Sequence, residues 1–172
     1  MPLVEENEMS HTITIDSPVG TLRLISGERG LRAILWGAED VVRIASIDEA
    51  DLVEGATPVL DEAATQLEEY FAGTRREFDL PLDPLGTPFQ HSAWMVLRTI
   101  PYGTTMSYGQ QARQLGDPNK ARAVGAANGK NPLSIVVPCH RVIGSGGQLT
   151  GFAAGVEIKS WLLDHERQPR LI

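Results

Sequence analysis

Residues 131–143 read Asn-Pro-Leu-Ser-Ile-Val-Val-Pro-Cys-His-Arg-Val-Ile, and they contain Cys139, the only cysteine of the 172-residue chain. The apolar run 135–137 is short enough for a buried strand or for a buried turn that leads to the cysteine. A lone cysteine is usually a buried, inert side chain. This one stands beside the pair His140-Arg141, and a nearby positive charge lowers the pKa of a thiol. The segment therefore predicts a nucleophilic cysteine.

Three helices are predicted before this segment. Thr87-Pro88 is typical of a helix start, with a hydroxyl N-cap followed by proline. Ser107 is a second N-cap, residues 116–119 form a break, and a third helix over 120–128 ends at Gly129. Two short helices across a tight glycine-containing turn, the second of them basic, match a helix-turn-helix.

The third helix consists almost entirely of small residues, Lys-Ala-Arg-Ala-Val-Gly-Ala-Ala-Asn over 120–128. Small side chains let a helix backbone approach another surface closely, and that surface is either the protein core or a ligand. The cations Lys120 and Arg122 favour an outward-facing side.

The first half predicts a small α+β unit without evident chemistry. Alternating apolar residues and turns over 12–36 predict a β-meander, and 37–56 predicts loop with a little helix. Thr57-Pro58 starts a helix that Gly73 ends. Residues 78–82 alternate as a short edge strand, because a proline stands within them.

A linker, Asp83-Pro84-Leu85-Gly86, divides the chain into predicted domains 1–85 and 86–172, which differ in charge. The first carries six arginines against eighteen acidic residues, a balance of −12, and the second carries nine basic against four acidic residues, a balance of +5. This asymmetry suggests that only the second domain meets an anionic partner. The charges alone are explained equally well if the acidic half keeps the protein soluble and the basic excess of the second half has no function.

Composition excludes several classes of protein. With 42% hydrophobic and 22% charged residues, the chain is predicted to form a packed core. No apolar run approaches the ~20 residues of a membrane span, and the acidic N-terminus does not resemble a secretory signal. One cysteine makes neither an internal disulfide nor a multi-cysteine zinc site, and His11 and His91 lack partners at ligand spacing. We expect a cytoplasmic protein without a metal.

Pro138-Cys139-His140-Arg141, followed by Val142-Ile143, resembles the active-site signature of the O6-alkylguanine-DNA alkyltransferases, also called methylated-DNA–protein-cysteine methyltransferases. The likeness covers roughly residues 86–166, and the first half resembles the family's accessory domain more weakly. Further motifs at family-like spacing are Phe89-Gln90 with Trp94, Ile100-Pro101-Tyr102-Gly103, Ser107-Tyr108-Gly109, Ala121-Arg122-Ala123-Val124-Gly125, Asn131-Pro132, Thr150-Gly151-Phe152, and Lys159 with Trp161-Leu162-Leu163 and His165-Glu166.

The resemblance implies an α+β fold, with a ribonuclease-H-like first domain and a helical second domain carrying a winged helix-turn-helix-like motif. It implies DNA repair by direct reversal, in which an alkyl group, chiefly methyl, passes from O6-alkylguanine, and also O4-alkylthymine, to Cys139. A thioether cannot be hydrolysed in such a site, so each molecule acts once, without a cofactor. The implied partner of this monomer is double-stranded DNA, bound in the minor groove; cooperative binding stays open.

The resemblance also implies the catalytic residues. Cys139 is the nucleophile, His140 acts as its base through a water, and Glu166 orients the imidazole. Asn131 braces the turn around the cysteine, and the Tyr108 hydroxyl donates a hydrogen bond to guanine N3. Because adjacent residues of an extended segment point to opposite sides, His140 is expected to reach the thiol only through the water.

Further implied residues contact DNA or line the base pocket. Arg122 enters the base stack and fills the place of the flipped nucleotide. Backbone carbonyls of Cys139 and Val142 meet the guanine amine, and an extra methyl at Ala154, where relatives commonly have glycine, puts bulky adducts in doubt. The other DNA-binding residues are Lys120, Ala121, Ala123, Gly125 and Ser145, and the pocket residues are Asn128, Val142, Phe152, Ala153 and Ala154.

Two other classes of protein stay open on the residues alone. One is a DNA-damage recognition or regulatory helix-turn-helix module with an incidental cysteine. The other is a cysteine hydrolase that acts on small esters or amides.

Overall fold

The computed structural model describes residues 9–37, 41–149, 152 and 155–168, and its first half is built on a four-stranded sheet. The sheet has the order β3-β2-β1-β4, in which β1, β2 and β3 pair antiparallel and β4 pairs parallel with β1. The predicted meander is thus confirmed. The strands are β1 (Ser10–Ile15), β2 (Leu22–Ser26), β3 (Leu31–Trp36) and β4 (Leu52–Glu54).

Two predictions for the first half need correction. Residues 37–56 contain α1 (Val41–Ala45) as expected, but also strand β4. Residues 78–82 form no strand; only Leu82 makes a bridge, to Leu31, whose N–H donates to Pro81 O at 2.8 Å. Pro81 has no N–H to extend the ladder, so the pairing stops there.

Helix α2 (Pro58–Ala72) covers the sheet, and both of its predicted ends are confirmed. Thr57 Oγ1 accepts a hydrogen bond from Leu60 N at 3.2 Å, and Gly73 ends the helix at φ +83°. Its buried face includes Leu60, Leu67 and Tyr70, all 0% exposed. Burial of this apolar stripe holds the helix against the sheet.

The second half contains the three predicted helices, α3 (Pro88–Leu97), α4 (Tyr108–Gln114) and α5 (Ala121–Gly129). Thr87 and Ser107 cap α3 and α4 through reciprocal bonds with Gln90 and Gln110. Helix α5 differs slightly from its prediction, since it begins one residue later and includes Gly129. The α+β class is confirmed, with a sheet domain followed by a helical domain.

A two-stranded parallel sheet and a last helix complete the fold. Strand β5 (Met106–Ser107) pairs with β6 (Val142–Ile143), and α6 (Val156–Arg167) follows. Residues 135–137 form a buried turn rather than a strand. None of the helices in the described ranges is long and apolar enough to cross a membrane.

One hydrophobic core joins the two halves around the cysteine segment. Leu24 and Ile34 of the sheet share a cluster with Leu97 of α3, Cys139 and Leu162 of α6. Direct main-chain pairing adds to this contact, because the N–H of Ile34 in β3 donates to Pro132 O at 2.8 Å. The cysteine segment therefore lies on the seam between the halves.

Candidate active site

Cys139 opens a 3-10 turn, Cys139–Arg141, between the buried turn and β6. The cysteine is 7% exposed, and its N–H donates to Val137 O at 2.8 Å. The expectation of an extended segment is therefore wrong. Side chains of successive residues in a 3-10 turn diverge by about 120°, so Cys139 and His140 still point in different directions.

Asn131 closes the turn that delivers the cysteine. Its Nδ2 donates to Val137 O at 2.7 Å, and its Oδ1 accepts from Leu133 N at 3.0 Å. Inside this turn Ile135 has φ +75°, a left-handed conformation that is strained for a β-branched residue. The two Asn131 bonds hold the chain on both sides of this residue and so stabilise the turn.

The carboxylate of Glu166 is the centre of the site and accepts five hydrogen bonds from both halves of the protein. Oε2 lies 2.7 Å from His140 Nε2, 2.7 Å from the Tyr70 hydroxyl and 3.1 Å from Arg141 Nη2. Oε1 accepts from Arg141 Nε at 2.8 Å and from Gly103 N at 3.4 Å. Glu166 is only 5% exposed, so these donors replace water.

Electrostatics keep Glu166 ionised despite burial. Burial raises the pKa of this carboxyl, but the hydrogen bonds from His140 and Arg141 and the charge of Arg141 outweigh burial and hold that pKa well below its usual range. Arg141 Nη1 also donates to Ile100 O at 2.7 Å, so its guanidinium is fixed on Glu166 and on the chain after α3. Arg141 therefore neutralises Glu166 within the core.

His140 is fully buried, and its surroundings fix its tautomer. Burial lowers the pKa of His140 in spite of the neighbouring Glu166, which favours the neutral imidazole. Nε2 faces a carboxylate oxygen and therefore carries the proton, which leaves Nδ1 as an acceptor. Nδ1 is buried and has no hydrogen-bond partner among the described residues. The imidazole is thus held ready to accept a proton at Nδ1.

Lys159 of α6 is a buried cation within electrostatic reach of Cys139, and sequence analysis gave it no role. It is 1% exposed, and its Nζ donates to Val142 O at 2.6 Å and lies 5.8 Å from the centre of the Tyr108 ring. Burial lowers the pKa of Lys159, while the charge of Cys139 opposes that change. A lysine on the apolar face of α6 was the only local signal.

Tyr108, the first residue of α4, links the site to α5. Its half-buried ring lies below Lys159 Nζ, and a Cβ added at Gly125 would be 3.8 Å from the ring. The ring therefore lies between the lysine of α6 and the glycine of the small-residue helix.

Asn128, predicted to line the base pocket, has a packing role in the structure. It is 5% exposed and exchanges two hydrogen bonds with Gln111 of α4, at 2.8 and 3.0 Å. Gln111 Nε2 also donates to Ala93 O at 3.1 Å. These bonds join α3, α4 and α5, so the side chain of Asn128 is used between helices.

The other predicted pocket residues lie near the site or outside the described ranges. Val142 is buried, and its carbonyl accepts from Lys159 Nζ, while the Cys139 carbonyl accepts from Val142 N. Each carbonyl keeps a second lone pair that can accept a further hydrogen bond. Phe152 is half-buried, with its ring 6.1 Å from that of Trp36. Ala153 and Ala154 lie outside the described residues.

The predicted DNA-binding residues form a largely open surface on α5 and the loop after β6. Arg122 and Ala123 are exposed, whereas Ala121 and Gly125 are half-buried. Val124 and Ala127 face the core instead. Outside the helix, Lys120 and Ser145 are exposed, and Lys120 Nζ lies 5.6 Å from the Phe89 ring centre.

Throughout the described ranges, His, Cys, Asp and Glu side chains form no group of three or more that could hold an ion. His140 and Glu166 are bonded to each other, which directs them to proton transfer.

Comparisons with known proteins agree with this geometry. The family model for the 6-O-methylguanine DNA methyltransferase DNA binding domain matches residues 88–168. The family model for the ribonuclease-like domain of the same family matches residues 11–84. A methylated-DNA–protein-cysteine methyltransferase of Shigella flexneri is 49% identical over 160 residues, covering 88% of this chain and 92% of the relative. The constitutive one of Bacillus subtilis is 44% identical over 164 residues, covering 92% and 96%.

Among solved structures, OGT of Mycobacterium tuberculosis in complex with DNA superposes with a TM-score of 0.81 at 44% identity, covering 91% of this chain and 92% of that chain. The O6-methylguanine methyltransferase structure from the same organism gives a TM-score of 0.82 at 44% identity, covering 92% and 93%.

Proposed function

This chain belongs to the 6-O-methylguanine DNA methyltransferase family, and we propose that it repairs DNA by moving the alkyl group of O6-alkylguanine, and also of O4-alkylthymine, onto its own Cys139. The thiolate sulfur attacks the alkyl carbon, the carbon–oxygen bond breaks, and the base leaves with the electron pair. The thioether product is not hydrolysed, so one molecule repairs one base. The observation that carries this proposal is the sole cysteine beside an imidazole that Glu166 holds with Nδ1 free to accept a proton.

The proton of the thiol passes to His140 Nδ1 through one water. The divergent directions of the two side chains in the 3-10 turn support the water, and the 2.7 Å bond to Glu166 supports the role of this carboxylate as the group that orients the imidazole. His140 becomes an imidazolium that Glu166 stabilises. Asn131 has no titratable group and takes no part in proton transfer. It positions the cysteine by closing the turn.

Tyr108 acts on the leaving base, and Lys159 acts on the attacking thiol. The Tyr108 hydroxyl donates to guanine N3 as negative charge develops on the departing purine. Lys159, buried and within electrostatic reach of Cys139, favours the thiolate, because a nearby cation lowers the pKa of a thiol. The position of the Tyr108 ring below Lys159 Nζ supports a joint action of the two.

DNA is the partner, and we assign its minor groove to the exposed face of α5. An O6 alkyl group cannot be reached in line within the stack, so the nucleotide must be flipped out. Arg122 is the one long side chain on this face and fills the vacated place, while Ala121, Ala123 and Gly125 let the backbone approach the groove. Lys120 and Ser145 contact phosphates, a mode of binding that does not depend on sequence.

The same proposal covers the organisation of the protein. Residues 1–85 form the accessory domain and 86–172 the domain for DNA binding and transfer, a division supported by family matches to 11–84 and 88–168. The protein acts as a cytoplasmic monomer. Methyl is its main substrate group, since the family resemblance gives position 154 an alanine where relatives commonly have glycine, which puts bulky adducts in doubt.

A duplex with one O6-[³H]methylguanine tests the proposal. Wild-type protein should retain the label after denaturation, whereas Cys139→Ser should bind the duplex without retaining label. Binding without covalent label in both proteins would indicate a recognition module, and neither binding nor label would indicate a different chemistry. Either result would overturn the proposed transfer.

A further inference from the structure

The first half of the protein contributes a hydrogen-bond donor to the Glu166 carboxylate. Tyr70 of α2 is 0% exposed, and its hydroxyl donates to Glu166 Oε2 at 2.7 Å across 96 positions of sequence. Burial, followed by the charge of Glu166, raises the pKa of Tyr70 far above its usual range, so the hydroxyl stays protonated. It is therefore a permanent donor to the oxygen that also faces His140.

Packing fixes this hydroxyl in place. The Tyr70 ring contacts Phe71 at 5.3 Å, Phe78 at 5.6 Å and His165 at 5.2 Å between ring centres. His165 Nε2 also lies 2.8 Å from the Tyr70 carbonyl, and the Trp161 ring stacks on His165 at 4.8 Å. None of these contacts involves the hydroxyl, so a phenylalanine at this position would keep them.

Tyr70 and His140 compete for the same carboxylate oxygen. Each donor to a carboxylate stabilises its negative charge, so a second donor weakens the pull of Oε2 on the imidazole proton. Loss of the tyrosine hydroxyl would leave Glu166 a stronger acceptor for His140. The imidazolium would then form at a higher pH.

We propose that Tyr70 is a positioning residue for the transfer reaction, whose hydroxyl holds Glu166 and limits the basicity of His140. The first half thereby sets the lower end of the pH range in which Cys139 is activated. This inference rests on the proposed roles of Cys139, His140 and Glu166.

Other groups also face this cluster, and they define the control. Arg141 and Lys159 bring positive charge, Cys139 brings the thiol, and Tyr102 packs its ring 6.2 Å from that of Tyr70. Tyr102 is a tyrosine of the same aromatic cluster whose hydroxyl makes none of the five bonds to Glu166. Tyr102→Phe therefore matches Tyr70→Phe in chemistry but leaves the carboxylate unchanged.

The test measures alkylation of the only cysteine by iodoacetamide as a function of pH, without DNA. In Tyr70→Phe the pH of half-maximal rate should rise by about 0.5 unit, a fraction of the roughly 1–2 units that a whole hydrogen bond to a charged group is worth, and the rate above that pH should not fall. Tyr102→Phe should keep the wild-type profile, and thermal melting of each variant reports folding separately.

A Tyr70→Phe profile that coincides with wild type would overturn the inference, even if the variant melts at a lower temperature, because a purely structural role would not move the profile. An equal shift in Tyr102→Phe would overturn it too. The same proteins are then assayed with the O6-methylguanine duplex. A shifted alkylation profile in a protein that accepts no methyl group would refute the proposed function and leave the Tyr70 contact standing.

Discussion

The buried cluster around Glu166 and the exposed face of α5 differ in burial and in the number of elements that build them. The cluster has a carboxylate that is 5% exposed, with donors from α2, the chain before β5 and the cysteine turn. The α5 face consists of small residues and Arg122, and it belongs to one helix. Proton transfer from the thiol needs a base held in one position and tautomer, and a buried, multiply bonded site provides this. Access to a flipped base needs an open surface that comes close to DNA.

Because the two regions do different work, changes in them should affect different substrates. Changes in the cluster should affect reaction with duplex DNA and with free O6-methylguanine alike, since both use the same thiol. Changes on the α5 face should affect the duplex alone, because the free base needs no flipping.

Glu166→Gln has the largest expected effect. The transfer rate should fall about 10²–10⁴-fold on both substrates, because His140 loses the carboxylate that fixes its tautomer. The variant should also lose about 3 kcal/mol of unfolding free energy, since Arg141 becomes a buried charge without its partner. Single-turnover rates against pH and urea denaturation measure the two effects.

Asp164→Asn, an exposed change on the same helix, is the control for Glu166→Gln and should alter neither quantity. A wild-type rate at every pH in Glu166→Gln would remove this carboxylate from the mechanism. Loss of the whole unfolding transition would restrict its role to the fold.

Arg122→Ala should slow repair of duplex DNA without slowing reaction with the free base. Unstacking a base costs a few kcal/mol, so losing the side chain that fills the gap should slow duplex repair roughly 10- to 100-fold and leave reaction with the free base unchanged. Arg98→Ala removes an exposed arginine at the end of α3 and controls for net charge. Equal losses on both substrates, or with both variants, would contradict the role given to Arg122.

The cluster also predicts acid sensitivity. His140 and Glu166 both have a pKa lower in the folded protein than their usual 6.5 and 4.5, so the unfolded chain binds more protons below those values. Unfolding free energy should therefore be fully present above pH 6.5 and fall as the pH drops, by at most ~1.4 kcal/mol per pH unit for each group.

Urea denaturation at pH 7.5, 5.5 and 4.5 measures this loss. In His140→Gln the unfolding free energy should fall less than in wild type between pH 7.5 and pH 5.5. Helix α5 contains no His, Asp or Glu, so Arg122→Ala should keep the wild-type slope. Constant stability over this pH range would contradict the lowered pKa values.

Gly125→Ala has the smallest expected effect. A Cβ there would meet only the Tyr108 ring at 3.8 Å, an ordinary contact, so the helix should gain about 0.5–1 kcal/mol. Duplex affinity should nevertheless fall a few-fold, because the methyl group holds DNA away from the backbone. Gly129→Ala, where a Cβ meets nothing within 4 Å, should gain stability without losing affinity. Equal affinities would mean that DNA does not approach α5 at Gly125.

Much of the fold was predictable because its signals are local. Three helix starts are recognisable from N-cap side chains that accept a hydrogen bond from the backbone N–H three residues later, at Thr57, Thr87 and Ser107. Strand β4 was missed, since its parallel pairing with β1 depends on residues about 40 positions away. The alternation over 78–82 predicted a strand that the missing N–H of Pro81 prevents.

The site was predictable only in part. The sequence places His140 next to Cys139, and resemblance to the family pointed to Glu166, which the structure brings within 2.7 Å of the imidazole. Tyr70 has the pattern of any core aromatic on an amphipathic helix. Its contact with the carboxylate arises from packing of the two halves, which no local pattern encodes.

The central claim is that Cys139 accepts one alkyl group and keeps it, and peptide mass spectrometry tests this most directly. Wild-type protein is incubated with increasing excess of O6-methylguanine duplex, digested, and compared with Cys139→Ser. The account predicts about 14 Da added to the peptide that contains Cys139, with repaired duplex reaching one equivalent per protein and no more. Repair beyond one equivalent, or added mass on any other peptide, would contradict it.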